Sequence, residues 1–210
     1  MTQFVLYDYW RSSASYRVRI ALNIVGIDYT TVSINLLEGA HKSPDYLALN
    51  PQGLVPTLVI DGRTLTQSLA IIEYLTDIRP ECGLLPMDIA DRHHVRALSY
   101  AIAMDIHPIC NMHVAAHVRT IVGKADAREE WMKHFISDGL RKLEAMLDKF
   151  DGDFSLGDAP TMVDLCLVPQ VYNARRWGVD MAGFKRIVDI DRRCAALPAF
   201  QAAHPDRVKP

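Results

Sequence analysis

The sequence predicts an α/β domain followed by an all-helical one. Through residue 78, short apolar strands and amphipathic helices follow one another in the order β-α-β-α-β-β-α. Residues 80–86 then show no periodicity and carry two prolines and a glycine; beyond them strand patterns vanish and long helical patterns take over. The expected organisation is a first domain over residues 1–81, a linker over 82–90 and a helical domain over 91–210.

The first strand is expected from Phe4 to Tyr7. A helix follows it: Ser12, Ser13 and Ser15 offer capping oxygens, Val18, Ala21, Leu22 and Val25 fall at helical spacing, and Gly26 supplies a stop. Residues 30–35 alternate at period two and read as a second strand, and residues 36–50 as a loop with a short helix around Tyr46. Two further strands, 57–60 and 64–66, flank Asp61-Gly62-Arg63, whose Asp-Gly pair accepts positive φ and predicts a hairpin. Ser68 is placed as the N-cap of a helix that runs to Ile78, before Pro80. In the second part, Val95, Leu98, Ala101, Ile102, Ile106 and Ile109 trace one face of a long helix that Pro108 should kink by removing a donor. Trp131, Phe135, Leu140, Leu143, Leu147 and Phe150 trace another. Thr161-Met162-Val163-Asp164 has the Ser/Thr-x-x-acid form of a capping box and opens a helix through Val171.

Composition narrows the function classes. Half of the 210 residues are hydrophobic, enough for a substantial core. The 23 basic and 25 acidic residues leave a net charge of -2, so no positive excess points to nucleic acid or an anionic membrane as partner. Residues 1–6 lack a charged leader segment, and no apolar run approaches the ~18 residues of a membrane span, so a cytoplasmic protein is expected. The four cysteines, Cys82, Cys110, Cys166 and Cys194, lie far apart without a Cys-x-x-Cys pair and predict buried thiols rather than disulfides, zinc or a dithiol centre. His113 and His117 stand four apart on a helix but lack the acidic residue of a His-Glu-x-x-His motif, so no metal site is expected.

The chemistry gathers in four separate pieces, residues 11–15, 52–56, 67–68 and 105–111, rich in hydrogen-bonding groups and poor in catalytic side chains. At the first, a strand runs through three serines into a helix whose dipole and first N–H groups suit an anion or a thiolate.

Taken together these pieces resemble the zeta class of glutathione transferases over nearly the whole chain. The resemblance rests on Arg11-Ser12-Ser13-Ala14-Ser15-Tyr16-Arg17-Val18-Arg19-Ile20-Ala21-Leu22, on Asn50-Pro51-Gln52-Gly53-Leu54-Val55-Pro56-Thr57-Leu58, on Gln67-Ser68-Leu69-Ala70-Ile71-Ile72-Glu73-Tyr74-Leu75, and on the stretch from Gly157-Asp158 through Asp164 to Pro169-Gln170-Val171. It implies a thioredoxin-like first domain, glutathione as cofactor and a homodimer. It implies that Pro56 is cis, so that the Val55 backbone pairs with the cysteinyl part of glutathione. Gln67 and Ser68 match the γ-glutamyl-binding pair, Gln52 a residue that holds the tripeptide backbone, and Ser13 or Ser12 the thiolate-stabilising hydroxyl. Asp105, His107 and Asn111 match polar residues that contact glutathione in bacterial relatives, from the same or the second subunit. Arg11 and Arg176 are the expected guanidinium clamps for a small dicarboxylate substrate. The implied reaction is glutathione-dependent cis–trans isomerisation of maleylacetoacetate to fumarylacetoacetate. Maleylpyruvate isomerisation, transfer or dehalogenation of small α-halo acids, and non-catalytic glutathione binding are the alternatives.

Two positions depart from the family pattern: Ala14 stands where a cysteine is usual, and Tyr16 where tryptophan is common. The chemistry is therefore expected to run without a protein thiol. Met112 and His113 follow Asn111 where maleylpyruvate isomerases carry an arginine, which favours maleylacetoacetate. Arg17 and Arg19 are read as a solvated or salt-bridged helix face outside the site.

Overall fold

The computed structural model describes residues 3–210; Met1 and Thr2, with which the segment read for a leader begins, lie outside the described residues. The chain divides into two units, one formed by Met1–Leu84 with Ala196–Pro210, the other by Leu85–Ala195. The division falls inside the expected linker. The last 15 residues, expected in the helical domain, group instead with the first unit.

In the first unit, strands β1 (Phe4–Asp8), β2 (Thr30–Ser33), β3 (Thr57–Ile60) and β4 (Arg63–Thr66) form one sheet in the order β2-β1-β3-β4. β1 runs parallel to β2, with Leu6 opposite Thr31, and antiparallel to β3, with Leu6 opposite Leu58. Helices α1 (Ser13–Ile24), α2 (Pro44–Leu49) and α3 (Ser68–Ile78) complete the expected order. Leu6 and Leu58 from the sheet, Ile20 and Leu22 from α1 and Ile72 and Leu75 from α3 form a core without solvent exposure. The β3–β4 turn is the expected one: Asp61 and Gly62 both have positive φ, at 46° and 80°, as a two-residue hairpin turn of this hand requires.

Ser68 does not cap α3. The N-cap is Gln67, at φ 66° and ψ 111°, and Ser68 is the first helical residue. A single residue separates β4 from α3, and Gln67 takes up that position with a positive φ that residues other than glycine rarely adopt.

In the second unit, α4 (Ile89–Tyr100) runs into a π-helical turn, Ala101–Ile106, before α5 (Met112–Val122), α6 (Ala127–Leu147), α7 (Met162–Arg176) and α8 (Lys185–Ala195). The long helix expected through Ile109 is thus interrupted. The His107 N–H bonds the Ile102 carbonyl at 3.0 Å, five residues back, and Pro108 then has no N–H to continue the ladder. The capping box forms as expected and is more heavily used than its motif states. The Asp164 carboxylate, fully buried, accepts from Thr161 N (2.7 Å), Thr161 Oγ1 (3.2 Å), Ser155 N (3.0 Å) and Ser155 Oγ (2.7 Å). These bonds pin the loop before α7 to its first turn.

The C-terminal residues form two short helices, α9 (Pro198–Ala203) and α10 (Pro205–Val208), which return to α1. The Asn23 amide donates to the Ala199 carbonyl at 3.0 Å, Arg19 Nε to the Ala203 carbonyl at 3.0 Å, and the His204 ring meets the Tyr16 ring edge-on at 6.1 Å.

Candidate active site

β1 delivers the chain into a tight turn at Tyr9–Ser12, closed by a 2.8 Å bond from the Ser12 N–H to the Tyr9 carbonyl. Ser12 is the N-cap of α1, and its hydroxyl accepts from the Ser15 N–H at 3.2 Å. Ser13, 9% exposed, is the first helical residue, at the positive end of the α1 dipole. A helix provides no acceptors for the N–H groups of its own first turn, so this end attracts an anion. Of the three serines Ser12 is the cap, and Ser15 is fully buried inside the helix. The Arg11 guanidinium lies 5.2 Å over the Trp10 ring and donates to the Tyr9 hydroxyl at 3.4 Å, half-buried beside the turn. Trp10 also carries the Lys209 ammonium 5.4 Å from its ring, brought back by the C-terminal segment.

The second piece is set by a small buried network. Tyr46 of α2 donates to the Leu54 carbonyl at 2.7 Å and shares a 3.0 Å bond with Thr57 Oγ1. The Asn50 amide, 2% exposed, donates to the same two acceptors at 2.8 and 3.1 Å, while its oxygen accepts from the Gln52 N–H at 3.1 Å. Between these anchors the Val55–Pro56 bond is cis, with both residues buried. Gly53 has φ 60°, and a side chain there would press on the His41 carbonyl at 3.1 Å, which explains a glycine in this loop.

Gln67 Nε2 donates to Gln52 Oε1 at 3.0 Å, so two expected ligands from different loops are brought together. Ser68 is held from below, where Arg17 Nη1 donates to its hydroxyl at 3.3 Å. Arg17 and Arg19 are therefore not a solvated face: each is 1% exposed, and only the salt-bridged half of the expectation holds, for Arg19 with Asp8 at 2.7 Å. The reason lies in α1 itself. Tyr16, Val18, Ile20, Ala21 and Leu22 are buried around the whole helix, so no polar stripe is left for two arginines to occupy. That pattern, apolar residues on every side, signals that the two arginines are buried, though not which partners they meet. Asn50 and Tyr46 gave no such signal, because their role depends on a loop closing over them.

In the helical unit, Asp105 lies exposed in the π-helical turn, His107 follows that turn, and Asn111 is the N-cap of α5. Arg175 and Arg176 end α7. Arg175 is committed to Asp191 at 2.7 Å, while exposed Arg176 donates to Asn173 Oδ1 at 3.4 Å. Cys110, Cys166 and Cys194 are buried as expected, and Cys82 is partly exposed. Burial pushes the Cys110 thiol up to about 12, which keeps it protonated and unreactive at neutral pH.

A four-stranded sheet with a cis-proline loop, followed by a helical unit, agrees with two family descriptions: "Glutathione S-transferase, N-terminal domain" matches residues 2–77 and "Glutathione S-transferase, C-terminal domain" matches residues 125–203. The chain belongs to the glutathione S-transferase family. It is 63% identical to the maleylacetoacetate isomerase of Rhizobium meliloti (strain 1021), over 98% of each chain. Among solved structures, a holo maleylpyruvate isomerase described as a bacterial zeta-class glutathione S-transferase is 41% identical, with a TM-score of 0.94 and 98% of each chain covered. The maleylacetoacetate isomerase of Anaeromyxobacter dehalogenans 2CP-1, with glutathione bound in its active site, is 42% identical at a TM-score of 0.91, covering 99% of this chain and 97% of that one.

Proposed function

We propose that the chain is a glutathione-dependent cis–trans isomerase that converts maleylacetoacetate to fumarylacetoacetate in aromatic amino acid catabolism. The full-length identity to the Rhizobium enzyme is the observation that carries this reading. The residues present fit glutathione by the chemistry of their donors. The α1 N-terminus with Ser12 and Ser13 suits a thiolate, and Ser68 at the α3 N-terminus, beside Gln67, suits the γ-glutamyl carboxylate. The peptide edge at Val55, before cis-Pro56, suits the cysteinyl backbone, with Gln52 holding the tripeptide.

When bound, glutathione supplies a sulfur nucleophile that adds reversibly to the activated double bond and so permits rotation. Ser13 and the first-turn N–H groups stabilise the sulfur as thiolate, and Ser12 keeps that turn in shape through its cap. Arg11 and Arg176 each bind a substrate carboxylate; Arg175 is unsuited because Asp191 holds it. Asp105, His107 and Asn111 add polar contacts to glutathione, from the same or a second subunit. Exposed Met87, Ile89 and Met104 support a homodimer, and buried reduced thiols a cytoplasmic location. No helix among the described residues is long and apolar enough to cross a membrane.

Product formation should require glutathione in catalytic amounts, and Ser13→Ala or Arg176→Ala should each lower kcat/KM by about 10²-fold, the loss expected for one transition-state donor. Turnover that persists without glutathione refutes the reading. Maleylpyruvate is the second reading, favoured by the structural likeness to an enzyme of that name. The ratio of kcat/KM for the two diacids decides between them.

A further inference from the structure

We propose that Arg19 is a positioning residue for the glutathione thiol: by gripping the Trp10 carbonyl inside a cage closed by the C-terminal segment, it fixes the turn that ends in Ser12 and Ser13. The inference rests on the reading above, in which that turn holds the sulfur.

Every nitrogen of the buried Arg19 guanidinium is used. Nη1 donates to both oxygens of Asp8, at 2.8 and 2.7 Å, Nη2 to the Trp10 carbonyl at 2.9 Å, and Nε to the Ala203 carbonyl at 3.0 Å. The Tyr16 ring closes one face at 5.3 Å. The acceptors come from the end of β1, from the turn that follows it and from α9, so one rigid plane ties the turn to the strand that leads into it and to a segment 184 residues further along the chain than Arg19. The next carbonyl back from Trp10, that of Tyr9, is held by the Ser12 N–H at 2.8 Å. Both peptides before Arg11 are thereby oriented. Because a trans peptide is planar, the Arg11 N–H must point away from the guanidinium that holds the Trp10 carbonyl.

The pair is not needed merely to fill the core. A buried ion pair offsets little more than its own desolvation, and a well-packed apolar pair would stabilise the fold as well. An apolar pair, however, cannot hold a main-chain carbonyl at a set angle. Nor does Arg19 act on the sulfur by net charge, since Asp8 neutralises it at contact distance. Tyr29, which feels both charges, is pushed above its usual value chiefly by burial and stays neutral near pH 7.

Lysine at this position keeps the charge but, as a point donor, cannot make four coplanar bonds, so Arg19→Lys separates geometry from charge. Three measurements on the purified full-length protein test the role: circular dichroism for folding, affinity for S-methylglutathione, and the thiol pKa of bound glutathione from thiolate ultraviolet absorbance. Folded Arg19→Lys should keep its S-methylglutathione affinity, raise the bound-thiol pKa by about one unit, which is tenfold less thiolate at a fixed lower pH, and lose about 10- to 100-fold in kcat/KM. Asp8→Asn, which leaves an uncharged acceptor, should move the thiol in the same direction. An unchanged thiol pKa in a folded variant overturns the proposal, and so does failure of both variants to fold, which makes the pair purely structural. Should the wild-type protein itself fail to bind glutathione, the functional reading falls, and this inference with it.

Discussion

Cys110 illustrates how burial alone sets the chemistry of one residue. Its thiol is 7% exposed and titrates at about 12 instead of 9.0. Between those values the unfolded chain releases the proton while the folded chain keeps it. A raised folded-state pKa therefore contributes stability below pH 9 that is lost as pH rises toward 12. Cys110→Ala should cost stability at neutral pH through the cavity it leaves, and that cost should shrink as pH climbs through the window; paired denaturant titrations of the two proteins read the difference. Cys194 is displaced in the same direction, again mainly by burial. At this scale the sequence was legible where structure is local: Ser12 as the cap of α1, the Asp-Gly turn and the burial of Cys110, Cys166 and Cys194 all read correctly, whereas Ser68 is not the cap of α3 and Cys82 is only partly buried. It was not legible where a side chain's role is set by a partner far along the chain. Arg19 meets Ala203 across 184 positions, and Arg17 meets Ser68 across 51, and neither separation leaves a local mark.

Among the elements, the strands and the capped helix α7 were readable because each is written in period or in a short motif. The π-helical turn was not, since it is written in neither, and it packs tightly on a neighbour. Gly139, in the middle of α6, lies so close to Ile106 that an added Cβ would stand 2.4 Å from Ile106 Cγ1 and 2.6 Å from its Cδ1. Ile106 is buried and β-branched, so it has little room to yield. Alanine would ordinarily stabilise a helix over glycine by about 1 kcal/mol. Here the overlap should win: Gly139→Ala is expected to destabilise by about 1–3 kcal/mol, observed as a melting temperature lower by about 2–4 °C per kcal/mol. A variant as stable as the parent would show that the bulged turn is set by its own residues and not by α6.

At the scale of the whole molecule, the two-part plan followed from the disappearance of strand patterns after residue 86, but the return of the last 15 residues to the first unit did not. Helical periodicity in residues 196–210 reports a helix, not which unit it joins. Ending the chain at Ala195 would strand Arg19 Nε and the Asn23 amide without their carbonyls. A buried donor left unsatisfied costs about 1–3 kcal/mol, and the exposed flank of α1 adds to it, against a total stability of about 5–15 kcal/mol. A chain truncated there should no longer be retained on immobilised glutathione, although every first-unit residue assigned to the tripeptide lies before residue 69. Retention equal to that of the full chain would show that the tail is dispensable.

That closure also dictates a calendar for the nascent protein. The buried pair Asp8–Arg19 emerges from the ribosome early, but the acceptor for Arg19 Nε is made 184 residues later. At about 5–20 residues per second, the first unit waits roughly 10–40 s for its final contact, while the whole helical unit is being synthesised. The part made first is thus the part completed last, and a chain that stalls near its end exposes an unfinished first unit rather than an unfinished helical bundle.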